Sequence, residues 1–203
     1  KKTAINGLGR IHKMLNRTST SPKRILDAIA EAQRLMVHGQ DVAWMLDRWA
    51  ERTPEKVFLV WEPFEGDPKS WTYSEIRESA DRFAAALLER DVAAGDRLLV
   101  HMENCPEFLI AVFACARIGA VAVTTNTRSV ARDIEYYVDA AGITAAITQP
   151  AFASLIAESA PSLNFIIVTE DNSGAAASQF DASDYIPFDS CLSPRPTPPK
   201  RAP

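Results

Sequence analysis

Three cysteines in 203 residues, with no Cys-x-x-Cys pair, are too few and too scattered for a disulfide framework or a zinc site. They fit reduced thiols, and a cytoplasmic setting is the expectation that follows. Histidine is as scarce. His12, His38 and His101 have no acidic or histidine partner one helical turn on, and no serine or cysteine set beside them by spacing. Neither a metal nor a nucleophilic role is expected of them. The eight glycines are dispersed, so no run of them can converge backbone N–H groups on a phosphate. No apolar run is long enough for a membrane span, and the basic start lacks the apolar centre of a signal peptide. The body of the chain is also short of cations. Residues 41–193 hold eleven Lys/Arg against twenty-four Asp/Glu, a local −13, which excludes a nucleic-acid groove there.

Positive charge collects at the ends instead. Residues 1–40 carry eight Lys/Arg against Asp27 and Glu31, and the last ten residues add Arg195, Lys200 and Arg201 with no acid. Three regions are expected. Residues 1–40 are a basic extension with one helix, starting at Pro22 behind Ser21 and stopped by Gly39. Met36 could serve as a natural start, which would make 1–35 an upstream addition. Residues 41–171 form an α/β subdomain. Residues 172–203 are Gly-, Ala-, Ser- and finally Pro-rich and read as a flexible linker, cut short.

The middle region alternates between periods. Asp41 caps a helix through Val42, Met45, Leu46 and Trp49. Val57–Trp61 and 70–73 read as strands, and Ser74 caps a helix with Ile76, Ala80, Phe83, Ala84 and Leu87 on one side. After the Gly95-Asp96 turn come a strand over 97–102 and an apolar helix capped by Asn104 and ended by Gly119. A strand over 120–123, a helix over 129–141, a strand over 143–148, a helix over 151–159 and a strand over 165–168 follow. Strands separated by helices build a parallel sheet, so the expected fold is α/β, a mainly parallel sheet flanked by helices. The four tryptophans read as core or subdomain-interface aromatics. Cys105, in the first turn after a cap, is the thiol best placed for reactivity, with an inert role the leading alternative.

Four blocks in this order resemble the AMP-forming adenylate enzymes: Trp71-Thr-Tyr-Ser-Glu-Ile76, Gly95-Asp-Arg97, Asn104-Cys-Pro-Glu-Phe108 and Ile118-Gly-Ala-Val-Ala-Val123. Within that superfamily they look closest to carnitine- and fatty-acyl-type CoA ligases. The resemblance implies the first portion of an adenylate-forming N-terminal domain. Its parent would use ATP, Mg and CoA to convert a small carboxylic acid to an acyl-adenylate and then to acyl-CoA. The phosphate loop, magnesium ligands and catalytic lysine of such enzymes have no counterpart in 1–203. No catalytic residue is therefore named, this stretch alone is expected to be inactive, and it is expected to bind none of those cofactors.

Two short runs are set aside. Thr18-Ser-Thr-Ser-Pro-Lys23 superficially matches the superfamily's phosphate loop but contains no glycine and precedes the opening block. Ile5-Asn-Gly-Leu-Gly-Arg10 resembles a dinucleotide fingerprint, but His12 stands at the third glycine position. One ligand contact is implied. Arg128, in Asn126-Thr-Arg128, matches an arginine that several CoA ligases place near the coenzyme's ribose phosphate, and a guanidinium fork suits a phosphate monoester. The chain departs from the family by having Thr124 and Thr127 where prolines are usual, which puts the loop geometry in question. Arg128 as a solvated residue near a helix start is the alternative. The rival reading of the whole chain is a non-catalytic α/β interaction module whose basic 1–40 arm binds an acidic partner.

Overall fold

The computed structural model describes residues 40–63, 66–170 and 184–194. The helix expected from Pro22 lies outside them. Thirteen elements follow in order: α1 (Val42–Arg52), β1 (Val57–Trp61), β2 (Lys69–Thr72), α2 (Tyr73–Leu88), β3 (Arg97–His101), α3 (Pro106–Ile118), β4 (Val121–Thr124), α4 (Ala131–Ala141), β5 (Ala145–Thr148), α5 (Pro150–Ser159), β6 (Ile166–Val168), β7 (Ile186–Pro187) and α6 (Phe188–Cys191).

Local chemistry starts and stops the helices. The Asp41 carboxylate accepts the Trp44 N–H at 2.7 Å and opens α1 as expected. α2 begins earlier than Ser74 would allow. The Thr72 hydroxyl accepts the Glu75 N–H at 3.2 Å, and the Glu75 carboxylate accepts the Thr72 N–H at 2.7 Å. This reciprocal box satisfies two orphan donors at once, and a lone serine cap cannot compete with it. α3 is capped by Cys105 and not by Asn104. Pro106 occupies the first helical turn and forces the residue before it to be extended, which places Cys105 at φ −155°, ψ 166°. Gly119 ends α3 in the left-handed region at φ 76°, where a side chain would clash with the backbone.

β1 and β2 form a separate antiparallel pair, while the five-stranded sheet is parallel throughout, in the order β4-β3-β5-β6-β7. Its central strands are apolar on both faces, as a sheet covered on both sides requires. Alternation sorts the side chains: Leu98, Val100, Ala145, Ile147 and Ile167 join one core, whereas Leu99 and Ala146 join the other. The first core is closed by α2 and α3 through Phe83, Leu87, Ile110, Ala114 and Ile118. The second is closed by α4 and α5 through Ile134, Val138 and Ile156.

The expectation of a linker over 172–203 is corrected at 184–194. Ile186–Pro187 pairs in parallel with β6, and Phe188 and Cys191 are fully buried. Phe188 stacks on Phe83 of α2 with centroids 4.4 Å apart, and the Leu192 carbonyl accepts from Arg82 at 3.4 Å. A two-residue strand and a one-turn helix carry no periodicity, so only long-range packing reveals them. Trp61 and Trp71 pack against the first core, as expected of core aromatics, whereas Trp44 and Trp49 are not among the residues of either core. Trp44, Trp61 and Trp71 are half-buried, and Trp49 is exposed beneath the Arg52 guanidinium.

Candidate functional site

The loop leaving β3 leads to α3 on one face of the sheet, and the loop leaving the neighbouring β4 leads to α4 on the other. The two loops therefore part at the carboxyl ends of their strands, where ligands of parallel α/β sheets bind. A cleft of about 400 Å³ lies there, lined by Met102, Glu103, Asn104 and Phe108 from the β3 side and by residues 124–127 from the β4 side. Asn104 is free to line it because Pro106 took the capping role away from it.

A chain of polar contacts underlies the cleft. His101, the last residue of β3, is fully buried and puts Nδ1 2.8 Å from the Thr125 hydroxyl. Its carbonyl accepts from the Thr148 hydroxyl of β5 at 2.5 Å, and its ring meets Phe152 of α5 edge to face. Glu103, two residues on, accepts from the Thr127 hydroxyl at 2.9 Å. Its N–H donates to the buried Gln149 side-chain oxygen at 2.6 Å. Burial holds the His101 imidazole below the ordinary histidine range, against a smaller upward pull from the Glu103 carboxylate. His101 is accordingly a neutral bridge between strands at neutral pH. His101 thus sits in its expected strand and is hydrogen-bonded there.

Arg128 stands beside the cleft-lining Thr127, in the turn before α4, and is exposed. Its N–H donates to the Asn126 side-chain oxygen at 2.8 Å, so the turn is closed by the asparagine and needs no proline. No described side chain pairs with its guanidinium. The sequence reading missed Glu103, Asn104, Thr125 and Thr127. Their signal was position alone, directly after two strands of a parallel sheet.

The groups implied by the resemblance fit unequally. An exposed, unpaired guanidinium beside a polar cleft suits a phosphate monoester such as that of CoA. ATP does not fit the described residues. Gly66, Gly95, Gly119 and Gly142 each stand alone in turns and helix ends, so they form no phosphate cradle. Nor does any group of three His, Cys, Asp or Glu among the described residues converge as metal ligands. The cysteines are equally quiet. Cys105 is buried with its thiol 3.6 Å from the Met102 sulfur, and burial pushes the Cys115 thiol up to about 12. No described helix is long and apolar enough to cross a membrane.

Comparison with known proteins gives the family and the fold. Residues 46–202 match the AMP-binding enzyme family. Crotonobetaine/carnitine–CoA ligase of Citrobacter koseri is 29% identical over 141 residues, covering 68% of this chain and 27% of that protein. The enzyme of the same name from Salmonella paratyphi A is 30% identical over 117 residues, 58% of this chain and 23% of its own length. Acetoacetyl-CoA synthetase from Streptomyces lividans superposes with a TM-score of 0.67 at 20% identity, covering 79% of this chain and 26% of that one. The anthranilate CoA ligase AuaEII does so at 0.64 and 22%, covering 79% and 28%. At such identities the two structures speak for the fold alone. The chain spans about a quarter of the length of the curated relatives it matches. Since the family match covers most of its residues, and the resemblance in the four sequence blocks points the same way, the chain belongs to the AMP-binding enzymes, the adenylate-forming superfamily that includes the acyl-CoA ligases.

Proposed function

We propose that this chain is the coenzyme-side portion of a longer AMP-forming ligase that joins a small carboxylic acid to the thiol of CoA, with ATP and Mg supplied to a site built from other residues. When bound, the coenzyme contributes the thiol that accepts the acyl group. What this chain contributes is a place for its nucleotide end. The observation that carries the reading is the exposed guanidinium of Arg128, unpaired among the described residues, next to a cleft at the carboxyl ends of parallel strands. A fork of N–H donors meets a phosphate monoester through two parallel charge-assisted hydrogen bonds, and a lysine could not reproduce that geometry. The family membership and the names of the relatives support the acid–thiol chemistry.

The test uses the longer protein. Arg128→Ala should raise the KM for CoA about ten- to a hundredfold, the cost of one charge-assisted contact at a partly wet site. Dephospho-CoA should serve the variant and the unaltered enzyme about equally. A variant that still preferred CoA over dephospho-CoA to the original degree would return Arg128 to the role of a solvated surface residue. Residues 1–203 alone should give no ATP–pyrophosphate exchange with any carboxylic acid, because the described residues form no phosphate cradle.

A further inference from the structure

The segment from Thr124 to Arg128 is held from below at alternate positions. Thr125 is tied to the ring of His101, and Thr127 is tied to the carboxylate of Glu103, so two residues at the end of β3 grip two residues beyond the end of β4. The spacing has a simple origin. His101 and Glu103 stand two residues apart, as do Thr125 and Thr127, and the parallel β3–β4 register brings the two stretches side by side. A backbone bond from the Thr125 N–H to the Val100 carbonyl, 3.2 Å, continues the β3–β4 ladder to this point and then stops. Beyond it the Ser129 N–H closes the turn onto the Asn126 carbonyl at 3.0 Å, and side chains tie that turn back to the β3 side. Each grip is itself anchored on β5 or just after it: Thr148 holds the His101 carbonyl, and Gln149 holds the Glu103 N–H.

We propose that His101 and Glu103 are positioning residues that clamp the 124–128 segment and so fix where Arg128 stands at the cleft. The clamp matters for binding because an arginine on a loose turn loses conformational freedom when it meets its ligand, whereas one on a fixed turn has already lost it. This inference rests on the coenzyme reading of Arg128, and the two can fail separately.

Amide exchange on the 203-residue chain tests the clamp without any ligand. His101→Leu and Thr125→Val should each speed exchange at 124–128 about five- to tenfold, the loss of one net hydrogen bond, while β5 stays protected. The double variant should be no faster than either single one, because both remove the same contact. His101→Asn, which keeps a polar atom close to the Nδ1 position, should restore protection. Glu103→Leu and Thr127→Val make a second pair with the same logic. They keep the test decisive if replacing the buried histidine prevents folding. In the longer protein, Thr127→Val should raise the KM for CoA by a similar factor and lower kcat by less. Unchanged exchange, or fully additive effects within both pairs, would overturn the clamp. Faster, coupled exchange with an unaltered KM for CoA would uphold the clamp and overturn the coenzyme reading.

Discussion

Arg117 and His101 are both buried polar residues, but their surroundings differ. Arg117, on α3, gives its guanidinium to two carboxylates: Nη1 and Nη2 to Asp47 of α1 at 2.6 and 2.7 Å, Nε to Asp81 of α2 at 2.6 Å. Three helices are thereby joined on one face of the sheet. His101, at the end of the inner strand β3, meets a single hydroxyl through Nδ1, and Nε2 has no hydrogen-bond partner among the described residues. The electrostatics follow the contacts. Burial alone would lower the Arg117 pKa, but hydrogen bonds and attraction from Asp47 and Asp81 outweigh it and raise the value. Burial likewise raises the Asp81 carboxyl, with Arg117 opposing. His101 has no strong opposing charge, so desolvation decides. A buried charge is tolerated where several partners converge, as they do between packed helices. At the end of a strand, beside a cleft, few partners are in reach and the group stays neutral.

Breaking the helix-side cluster should give the largest effect. Arg117→Met leaves two shielded carboxylates facing each other and should cost about 3–5 kcal/mol in urea denaturation. Replacing all three residues together, as Asp47→Leu, Asp81→Leu and Arg117→Met, should recover most of that loss, since the desolvation cost disappears with the charges. A triple variant no more stable than Arg117→Met would mean the charges contribute net stability and not chiefly the joining of the three helices.

The contrast can be sharpened by pH. Free histidine titrates near 6.5, and folded His101 lies lower. As pH falls below about 6.5 the unfolded chain takes up a proton that the folded chain resists, so stability declines until the folded value is reached. The slope from this one group is at most about 1.4 kcal/mol per pH unit. Glu103 is the charged group that bears on it, while Thr125, Thr148 and Phe152, from the elements around it, do not titrate. Denaturation between about pH 5 and 7 should therefore flatten in His101→Asn. Asp81 runs the other way. Its folded value is raised from 3.8, so its contribution is present below 3.8 and lost as pH rises through the raised value. The two contributions slope in opposite directions with pH, and a His101→Asn curve that kept its full acid slope would show that another group governs the range between about pH 5 and 7.

The smallest effect belongs to the cleft. Glu103→Gln keeps an oxygen for the Thr127 hydroxyl but removes its charge, and should cost about 0.5–1 kcal/mol or less in stability. A loss matching that of Arg117→Met would mean the cleft cluster is as structural as the helix-side one, and the distinction between them would collapse.

How much was legible varied with the reach of the interaction. Asp41 and Gly119, read as a helix cap and a helix stop, act within three or four residues of themselves, whereas the equally local Thr72–Glu75 box displaced the expected Ser74 cap. The order of the four family blocks was likewise available from the chain. Even there, Pro106 overruled Asn104, because a steric restriction on the preceding residue outweighs an optional side-chain bond.

What the sequence by itself determined is an α/β chain with strands and helices in a definite order and membership in the adenylate-forming superfamily, since periodicity, caps and motif order are local properties. Only the tertiary structure decided that Arg117 finds Asp47 seventy positions away, that His101 finds Thr125 and Glu103 finds Thr127 across twenty-four, and that Phe188 packs against Phe83. Those partners are chosen by which strand lies beside which and which face each helix covers. A parallel sheet brings together the ends of strands that the sequence holds a whole helix apart.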